Sequence, residues 1–151
     1  MSEKPPQADP EWIEWINHTA DAGFRVAAPT LETLFERAAW AMFAILSEPG
    51  RARPVDTEEV RAEADDLEAL MVRWLSELNY LHQTRRRIYG QFRTLSLTLE
   101  PPPARLAAEA AGEPIDVARI PVYCEIKAVT YHGIRVERNG EIWTARVIFD
   151  L

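Results

Sequence analysis

The chain has 151 residues, of which 47% are hydrophobic and 27% are charged, and its formal net charge is −7. This length and composition predict one globular domain with a buried core. The negative net charge argues against sequence-independent binding of nucleic acid, because such binding depends on clustered cationic side chains. The single cysteine, Cys124, excludes an internal disulfide and a cysteine-rich zinc cluster.

The first ten residues form a polar, proline-rich segment without the apolar stretch of a signal peptide. We predict that residues 1–10 are a disordered tail and that residues 11–151 form the domain. No apolar run approaches the length of a membrane span. The expectation is therefore a cytoplasmic protein without a membrane partner.

Two segments have the apolar spacing of amphipathic helices. The first starts after Thr30, a predicted N-cap, and stops before Pro49-Gly50. The second is predicted to begin at Asp65, whose side chain caps the helix while Glu68 reaches back toward it. Both apolar stripes are interpreted as core.

Most of the remaining sequence favours strands. Predicted strands cover Trp12–Ile16, Phe24–Ala28 and Val60–Ala64, and two more segments alternate around Pro101-Pro102-Pro103. The order of strands and helices predicts an α+β fold, in which two helices pack on a largely antiparallel β-sheet.

The C-terminal part predicts a hairpin with Asn139-Gly140 as its two-residue loop, because both central positions of a type I′ turn need positive φ. In a continuous register, Asp150 then lies opposite Val129, with Lys127 as its diagonal neighbour. Lys127 and Asp150 are therefore expected to meet. One extra residue at Gly133 would move every side chain before it in this strand to the other face of the sheet. The residue pairs that this register implies are Arg138–Glu141, Val136–Trp143, Ile134–Ala145 and His132–Val147.

Two carboxylates lie next to each other at the end of the last predicted strand. They are the side chain of Asp150 and the main-chain carboxylate of Leu151. Such a pairing is repulsive without a cation. A second candidate is the loop from Asn17 to Gly23, in which Asp21 is suited to a hard cation or to bracing a turn. His18 in the same loop is a candidate ligand or base, although a lone histidine is more often structural.

Five segments in order resemble the archease family over nearly the whole chain, from about Trp15 to Leu151. The HTAD and KAVTYH sequences within them are specific in combination. The segments are His18–Phe24 (HTADAGF), Thr30–Ala39 (TLETLFERAA), Trp74–Leu81 (WLSELNYL), Lys127–Gly133 (KAVTYHG) and Val147–Leu151 (VIFDL).

The resemblance implies a protein that is not itself an enzyme. It implies an accessory protein of an RtcB-type RNA ligase that acts in tRNA splicing and RNA repair. Such a ligase uses GTP and a divalent metal to join a 2′,3′-cyclic phosphate or 3′-phosphate end of RNA to a 5′-hydroxyl end. Archeases are understood to promote guanylylation of the ligase and to restore multiple turnover. RNA would be contacted only through the ligase.

Family roles carry over to residues of this chain by the same resemblance. A divalent cation, Ca²⁺, Mg²⁺ or Mn²⁺, is implied at Asp21 and Asp150 together with Leu151, and a functional lysine at Lys127. His18 and His132 match motif positions without an assigned role. A shared Ca²⁺ requires Asp21 and the chain end to lie within about 8 Å, since each oxygen lies about 2.3–2.6 Å from the ion.

The chain departs from the family pattern in three places, and the mildest is Leu151, where isoleucine is more common. Gln83 stands where members often have an acidic residue, and losing a carboxylate would weaken a cation site. Arg119-Ile120 replaces a common Arg-His. The run Arg85-Arg86-Arg87 is interpreted as a solvated turn in preference to an RNA or ligase contact.

Two other functions are considered. One is a general chaperone or modulator of nucleic-acid-processing enzymes. The other is an independent metal-dependent hydrolase, which is disfavoured because the sequence has no P-loop, no G-x-S-x-G and no metal-ligand motif at helical spacing.

Overall fold

The computed structural model describes residues 9–17 and 21–151. Within these ranges the chain forms two helices and eight strands, with a short 3-10 helix at Pro49–Arg51. The helices are α1, Leu31–Leu46, and α2, Leu67–Arg85. The strands are β1, Ile13–Asn17; β2, Asp21–Ala28; β3, Asp56–Ala64; β4, Arg87–Thr98; β5, Ala104–Pro114; β6, Ala128–Val129; β7, Arg135–Asn139; and β8, Ile142–Asp150.

The strands form two antiparallel sheets. The five-stranded sheet has the order β1-β2-β8, and the far edge of β8 pairs with β6 near its C-terminal end and with β7 along the rest. The three-stranded sheet has the order β3-β5-β4. The predicted α+β fold class is confirmed, with the strands divided between two sheets.

One continuous core joins the sheets and helices. Helix α1 packs against β2 and β4, so it touches both sheets, and α2 packs mainly against β3. Trp74 of α2 is fully buried, and its indole N–H donates to the carbonyl of Phe35 in α1 at 2.9 Å. This hydrogen bond satisfies the only polar atom of a large core side chain. No helix in the described ranges is long and apolar enough to span a membrane.

Helix α1 begins where the sequence predicts. The Thr30 hydroxyl accepts a hydrogen bond from the Thr33 N–H at 3.1 Å, which confirms Thr30 as the N-cap. The predicted cap of α2 is wrong by one residue. Asp66, not Asp65, accepts from the Ala69 N–H at 2.8 Å, and Glu68 lies in the first turn near the positive end of the helix.

Strand β4 is longer than the apolar alternation indicates. It starts at Arg87, directly after α2, and its register against β5 shifts at Gly90 and again at Leu95. Each bulge interrupts the two-residue period, so the sequence pattern detects only the end of the strand. Leu95 consequently faces solvent with 41% exposure, although its spacing resembles that of a core residue.

Of the three arginines at the junction of α2 and β4, Arg86 alone forms the turn, since Arg85 ends the helix and Arg87 begins the strand. Arg86 is the C-cap of α2 in the left-handed conformation with φ of 53°. Arg85 pairs with Glu58 at 2.8 Å, and Arg87 pairs with Asp56 at 3.1 Å. The two outer arginines thus connect this turn to β3.

We predict that Asp66→Ala lowers the free energy of unfolding by about 1 kcal/mol, because the Ala69 N–H loses its acceptor. Asp65→Ala is the matched control and should cost clearly less, since the Asp65 side chain does not cap the helix. Urea denaturation of both variants measures the difference. Equal losses in the two variants would contradict the cap assignment.

Candidate functional site

The pairing of β2 with β8 brings two carboxylates side by side. Asp21, the first residue of β2, lies directly opposite Asp150, the last residue of β8, and both are exposed. Directly opposite residues in antiparallel strands have Cα atoms about 4.5–5.5 Å apart. We call Asp21 and Asp150 the acidic pair. Its spacing meets the distance that a shared cation requires.

No described residue neutralises the acidic pair. Neither carboxylate has an ion pair within 4.0 Å in residues 9–17 and 21–151. Like charges directly opposite each other destabilise a sheet. The arrangement therefore favours binding of a cation from solution.

Close approach of β2 and β8 beside the acidic pair depends on Gly23. A Cβ atom at Gly23 would lie 2.4 Å from the Val147 carbonyl oxygen and 2.7 Å from Cδ1 of Ile148. Any larger residue would push the two strands apart. The glycine thus maintains the pairing that brings Asp21 and Asp150 together.

Leu151 follows the acidic pair and is half-buried, with its side chain packed against the core. This packing holds the main chain one residue beyond Asp150. His18 lies outside the described residues, so the structure does not place it.

The predicted contact between Lys127 and Asp150 is wrong at the level of side chains. The residue opposite Asp150 is Ala128, not Val129, and Lys127 meets Asp150 through the main chain, where its N–H donates to the Asp150 carbonyl at 2.8 Å. Lys127 lies just before β6, and both Lys127 and Ala128 are exposed between the buried Ile126 and Val129, so strict alternation between the faces of the sheet does not hold at this point. Among the described residues, no ion pair within 4.0 Å joins them.

The error originates in two parts of the hairpin. Asn139 pairs with Ile142, so the loop is Gly140-Glu141, and Gly140 has φ of +65°. A two-residue turn that takes glycine first needs positive φ only there. This loop shifts the register of β7 against β8 by two residues, so Arg138 faces Trp143 and Val136 faces Ala145. The predicted pairs therefore do not form; they are Arg138–Glu141, Val136–Trp143, Ile134–Ala145 and His132–Val147.

The second source of the error is the irregular segment between β6 and β7. Gly133 has φ of +60°. From Val129 to Arg135 the chain advances six residues, while β8 advances three, from Phe149 to Arg146. This odd difference moves the side chains of β6 to the face opposite the predicted one, the effect expected of one extra residue at Gly133. The segment is held to β8 by hydrogen bonds. Thr130 donates through its hydroxyl to the Ile148 carbonyl at 2.9 Å, and Arg146 donates to the Gly133 carbonyl at 3.0 Å.

His132 lies in this segment and is exposed. Its main-chain N–H donates to the Thr130 hydroxyl at 3.3 Å. The structure therefore places His132 on the turn that leads from Lys127 to β7.

Two amides of α2 anchor the main chain next to Lys127. The side chains of Asn79 and Gln83 both donate to the Ile126 carbonyl, each at 2.9 Å. Asn79 and Ile126 are buried, and the two amides lie one helical turn apart. Because the Lys127 N–H is bonded to Asp150, both sides of the Ile126–Lys127 peptide are fixed.

The anchoring role explains Gln83. At this position, where the resemblance led us to expect an acidic residue, Gln83 donates to the Ile126 carbonyl, which a carboxylate cannot do. Sequence reasoning missed Asn79, although two amides spaced four residues apart beside an apolar stripe are a detectable signal. The Asn79 carbonyl oxygen is buried without a partner among the described residues.

Two other charged groups near these elements have structural roles. His82 is buried beside Gln83 with its Nδ1 2.8 Å from the Arg87 carbonyl, and burial lowers the pKa of its imidazole. Arg119 pairs with Glu113, and this hydrogen bonding lowers the pKa of that carboxyl group. Ile120, which replaces the expected histidine, is only 2% exposed.

Side-chain ligands alone do not complete a metal site. In the described parts of the chain, no group of three or more His, Cys, Asp or Glu residues is arranged to hold a metal ion. The acidic pair supplies two carboxylates. A cation bound there would keep positions open for ligands from water or another molecule, which is the usual state of Mg²⁺.

Comparisons with known proteins match nearly the whole chain. A model of the Archease protein family matches residues 14–151. The protein archease of Methanopyrus kandleri is 39% identical over 140 residues, covering 93% of this chain and 99% of that protein. The protein archease of Methanosarcina barkeri is 35% identical over 138 residues, covering 91% and 94%.

Solved structures resemble this fold. The solution structure of a Methanobacterium thermoautotrophicum protein has a TM-score of 0.80 and 30% identity, covering 93% of this chain and 99% of that one. The crystal structure of an archease from Thermotoga maritima, described as a possible chaperone, has a TM-score of 0.53 and 18% identity, covering 98% of this chain and 100% of that one. The second likeness concerns the fold alone.

We expect Gln83→Glu to destabilise the protein by about 0.5–1.5 kcal/mol, the net worth of one hydrogen bond, because the exposed carboxylate can no longer donate to the Ile126 carbonyl, which keeps its bond from Asn79. Gln91→Glu, which makes the same change at an exposed position of β4, is the control and should have little effect. Urea denaturation at neutral pH compares them. If the two variants lose the same stability, the anchoring role of Gln83 is wrong.

Proposed function

The chain belongs to the archease family, and we propose that it activates an RtcB-type RNA ligase by presenting a divalent cation held at the acidic pair. The observation that carries this proposal is the direct opposition of Asp21 and Asp150 on an exposed surface. A carboxylate pair without a protein counterion is unfavourable in the isolated chain. Such a cost is typical of a site that is kept for function.

The donor set fits a hard divalent cation. Ca²⁺, Mg²⁺ and Mn²⁺ prefer oxygen ligands, and Mg²⁺ is commonly held by one or two carboxylates plus phosphates from a substrate. Asp21 and Asp150 would hold the cation, and the exposed face leaves room for oxygens of a partner. When bound, the cation supplies positive charge that stabilises phosphate oxygens during nucleotidyl transfer.

The remaining residues orient the contact. Lys127 is fixed through its main chain by Asp150, and its neighbour Ile126 is fixed by α2, so the ammonium group projects from a rigid segment. Among the described residues, Lys127 has no ion pair within 4.0 Å with either carboxylate of the acidic pair. We infer that Lys127 contacts the ligase or a nucleotide phosphate, since a lysine beside the carboxylates would weaken cation binding.

A guanylylation assay of the ligase with and without this protein tests the proposal. The wild-type chain should raise both guanylylation and turnover number. Asp21→Asn and Asp150→Asn should lower the stimulated rate by roughly ten- to a hundredfold, as loss of metal-site support does. Asp65→Asn, which removes an exposed carboxylate elsewhere, should stimulate like the wild type.

Two outcomes would contradict parts of the proposal. If the wild-type chain does not change ligase turnover but suppresses aggregation of unrelated client proteins, the ligase role is wrong. Full stimulation by both asparagine variants would instead remove the acidic pair from the mechanism.

Cation binding can be measured without the ligase. Adding Ca²⁺, Mg²⁺ or Mn²⁺ at a hundred times its dissociation constant should stabilise the wild-type protein by about 2.7 kcal/mol. Without a divalent cation, Asp150→Asn should be at least as stable as wild type, because repulsion is relieved. Thermal denaturation with and without each metal measures both effects, and equal metal stabilisation of the variant would refute the site.

A further inference from the structure

Three arginines lie abreast on the outer face of the five-stranded sheet. Arg25 of β2 is directly opposite Arg146 of β8, and Arg146 is directly opposite Arg135 of β7. We call these residues the arginine row. Strand spacing makes the row about 10 Å wide from Arg25 to Arg135. The long-range pairing of β2 with β8 brings Arg25 to Arg146, and the hairpin of β7 and β8 adds Arg135.

The row is poorly compensated by carboxylates. Arg25 is exposed and has no ion pair with any residue in the ranges 9–17 and 21–151. Arg135 pairs with Glu137 at 3.7 Å, but both side chains are largely in water, so the contact is weak. Arg146 donates to the Gly133 carbonyl, which orients its guanidinium without cancelling the charge.

The outer face of the other sheet shows the contrasting arrangement. There Arg93 is directly opposite Glu109 and pairs with it at 2.8 Å. Arg105 is directly opposite Glu63 and pairs with it at 3.3 Å. Glu59 is also opposite Glu109 in that sheet, but each of these carboxylates has an arginine partner, Arg61 at 3.2 Å and Arg93 at 2.8 Å. Like charges that face each other are therefore compensated there, whereas Arg25 and Arg146 face each other without an ion pair among the described residues.

Carboxylates surround the row and limit what it can bind. Glu14 lies opposite Arg25 at one end, and Glu137 follows Arg135 two residues along the strand. The acidic pair lies on the same face, about 13 Å away along β8. A long polyanion crossing this face would meet these negative groups, whereas a compact one would not.

We propose that the arginine row binds a compact polyphosphate group, such as the diphosphate or triphosphate of a nucleotide. Guanidinium groups match phosphate oxygens by paired, charge-assisted hydrogen bonds. Bound phosphates offset the repulsion among the three arginines. This site is separate from the acidic pair and does not depend on a ligase partner.

Titration of the isotope-labelled protein with inorganic tripolyphosphate, followed by NMR, tests the site. Arginine Nε–H signals of Arg25, Arg135 and Arg146 should shift together, and those of Arg93 and Arg105 should not. Arg25→Gln should weaken the affinity by roughly tenfold, the loss of about one charge-assisted hydrogen bond. Arg105→Gln is the matched control and should leave the affinity unchanged.

Stability provides a second measurement that does not require a ligand. In a low-salt buffer without phosphate, Arg25→Gln should lower the melting temperature less than Arg105→Gln does, because Arg25 faces Arg146 as well as Glu14, whereas Arg105 loses its carboxylate partner Glu63. An equal or larger fall in melting temperature for Arg25→Gln would contradict the like-charge argument.

Parallel titrations distinguish the sources of phosphate. Tighter binding of ATP or GTP than of tripolyphosphate would identify a nucleotide as the ligand, whereas equal affinities would identify the phosphate chain as the recognised part. Tighter binding of a single-stranded RNA oligonucleotide would overturn the restriction to compact ligands. Absence of localised shifts, or equal weakening by Arg25→Gln and Arg105→Gln, would overturn the site itself.

Discussion

The antiparallel pairing of β2 with β8 is the interaction on which the site depends. Eight residue pairs join these strands, from Asp21 with Asp150 to Ala28 with Trp143. One face of the pair contributes Phe24, Val147 and their neighbours to the core. The same pairing aligns two carboxylates at one end of the outer face and two of the three arginines farther along it. Burial of the inner face therefore maintains a charge pattern on the outer face that is unfavourable by itself.

Helix α2 connects this sheet to the rest of the protein. Its buried side holds Trp74 in the core, and its last turns place Asn79 and Gln83 against the Ile126 carbonyl. The segment carrying Lys127 has little regular pairing, since β6 has two residues. Its position thus depends on side-chain amides from a helix as well as on the sheet. The peptide group between Ile126 and Lys127 therefore joins helix α2 to the main chain of Asp150.

The fold was largely predictable from the sequence because its helices have strong apolar periodicity and distinct caps. Local ambiguity produced the errors. Asp65 and Asp66 are equally suitable caps by composition, and Asn139-Gly140-Glu141 allows two turns that differ by two residues in register. The bulges of β4 disrupted the alternation that would have revealed its first half. Each error concerns alignment within an element and leaves the fold class unchanged.

The site was less predictable, because its parts are far apart in the chain. The proximity of Asp21 to Asp150 was expected from family resemblance alone, and no local pattern indicates which strand pairs with β8. The arginine row is hidden for the same reason. The reversed parity beyond Gly133 placed Ala128, not Val129, opposite Asp150, an alternative that the sequence had left open.

Paramagnetic broadening by Mn²⁺ tests the central claim, that the acidic pair holds a divalent cation, most directly. In NMR spectra of the wild-type protein, substoichiometric Mn²⁺ should broaden signals of residues around Asp21, Asp150 and Ala128 first, and Asp150→Asn should abolish this localised effect. Broadening centred elsewhere, or unchanged in the variant, would contradict the account.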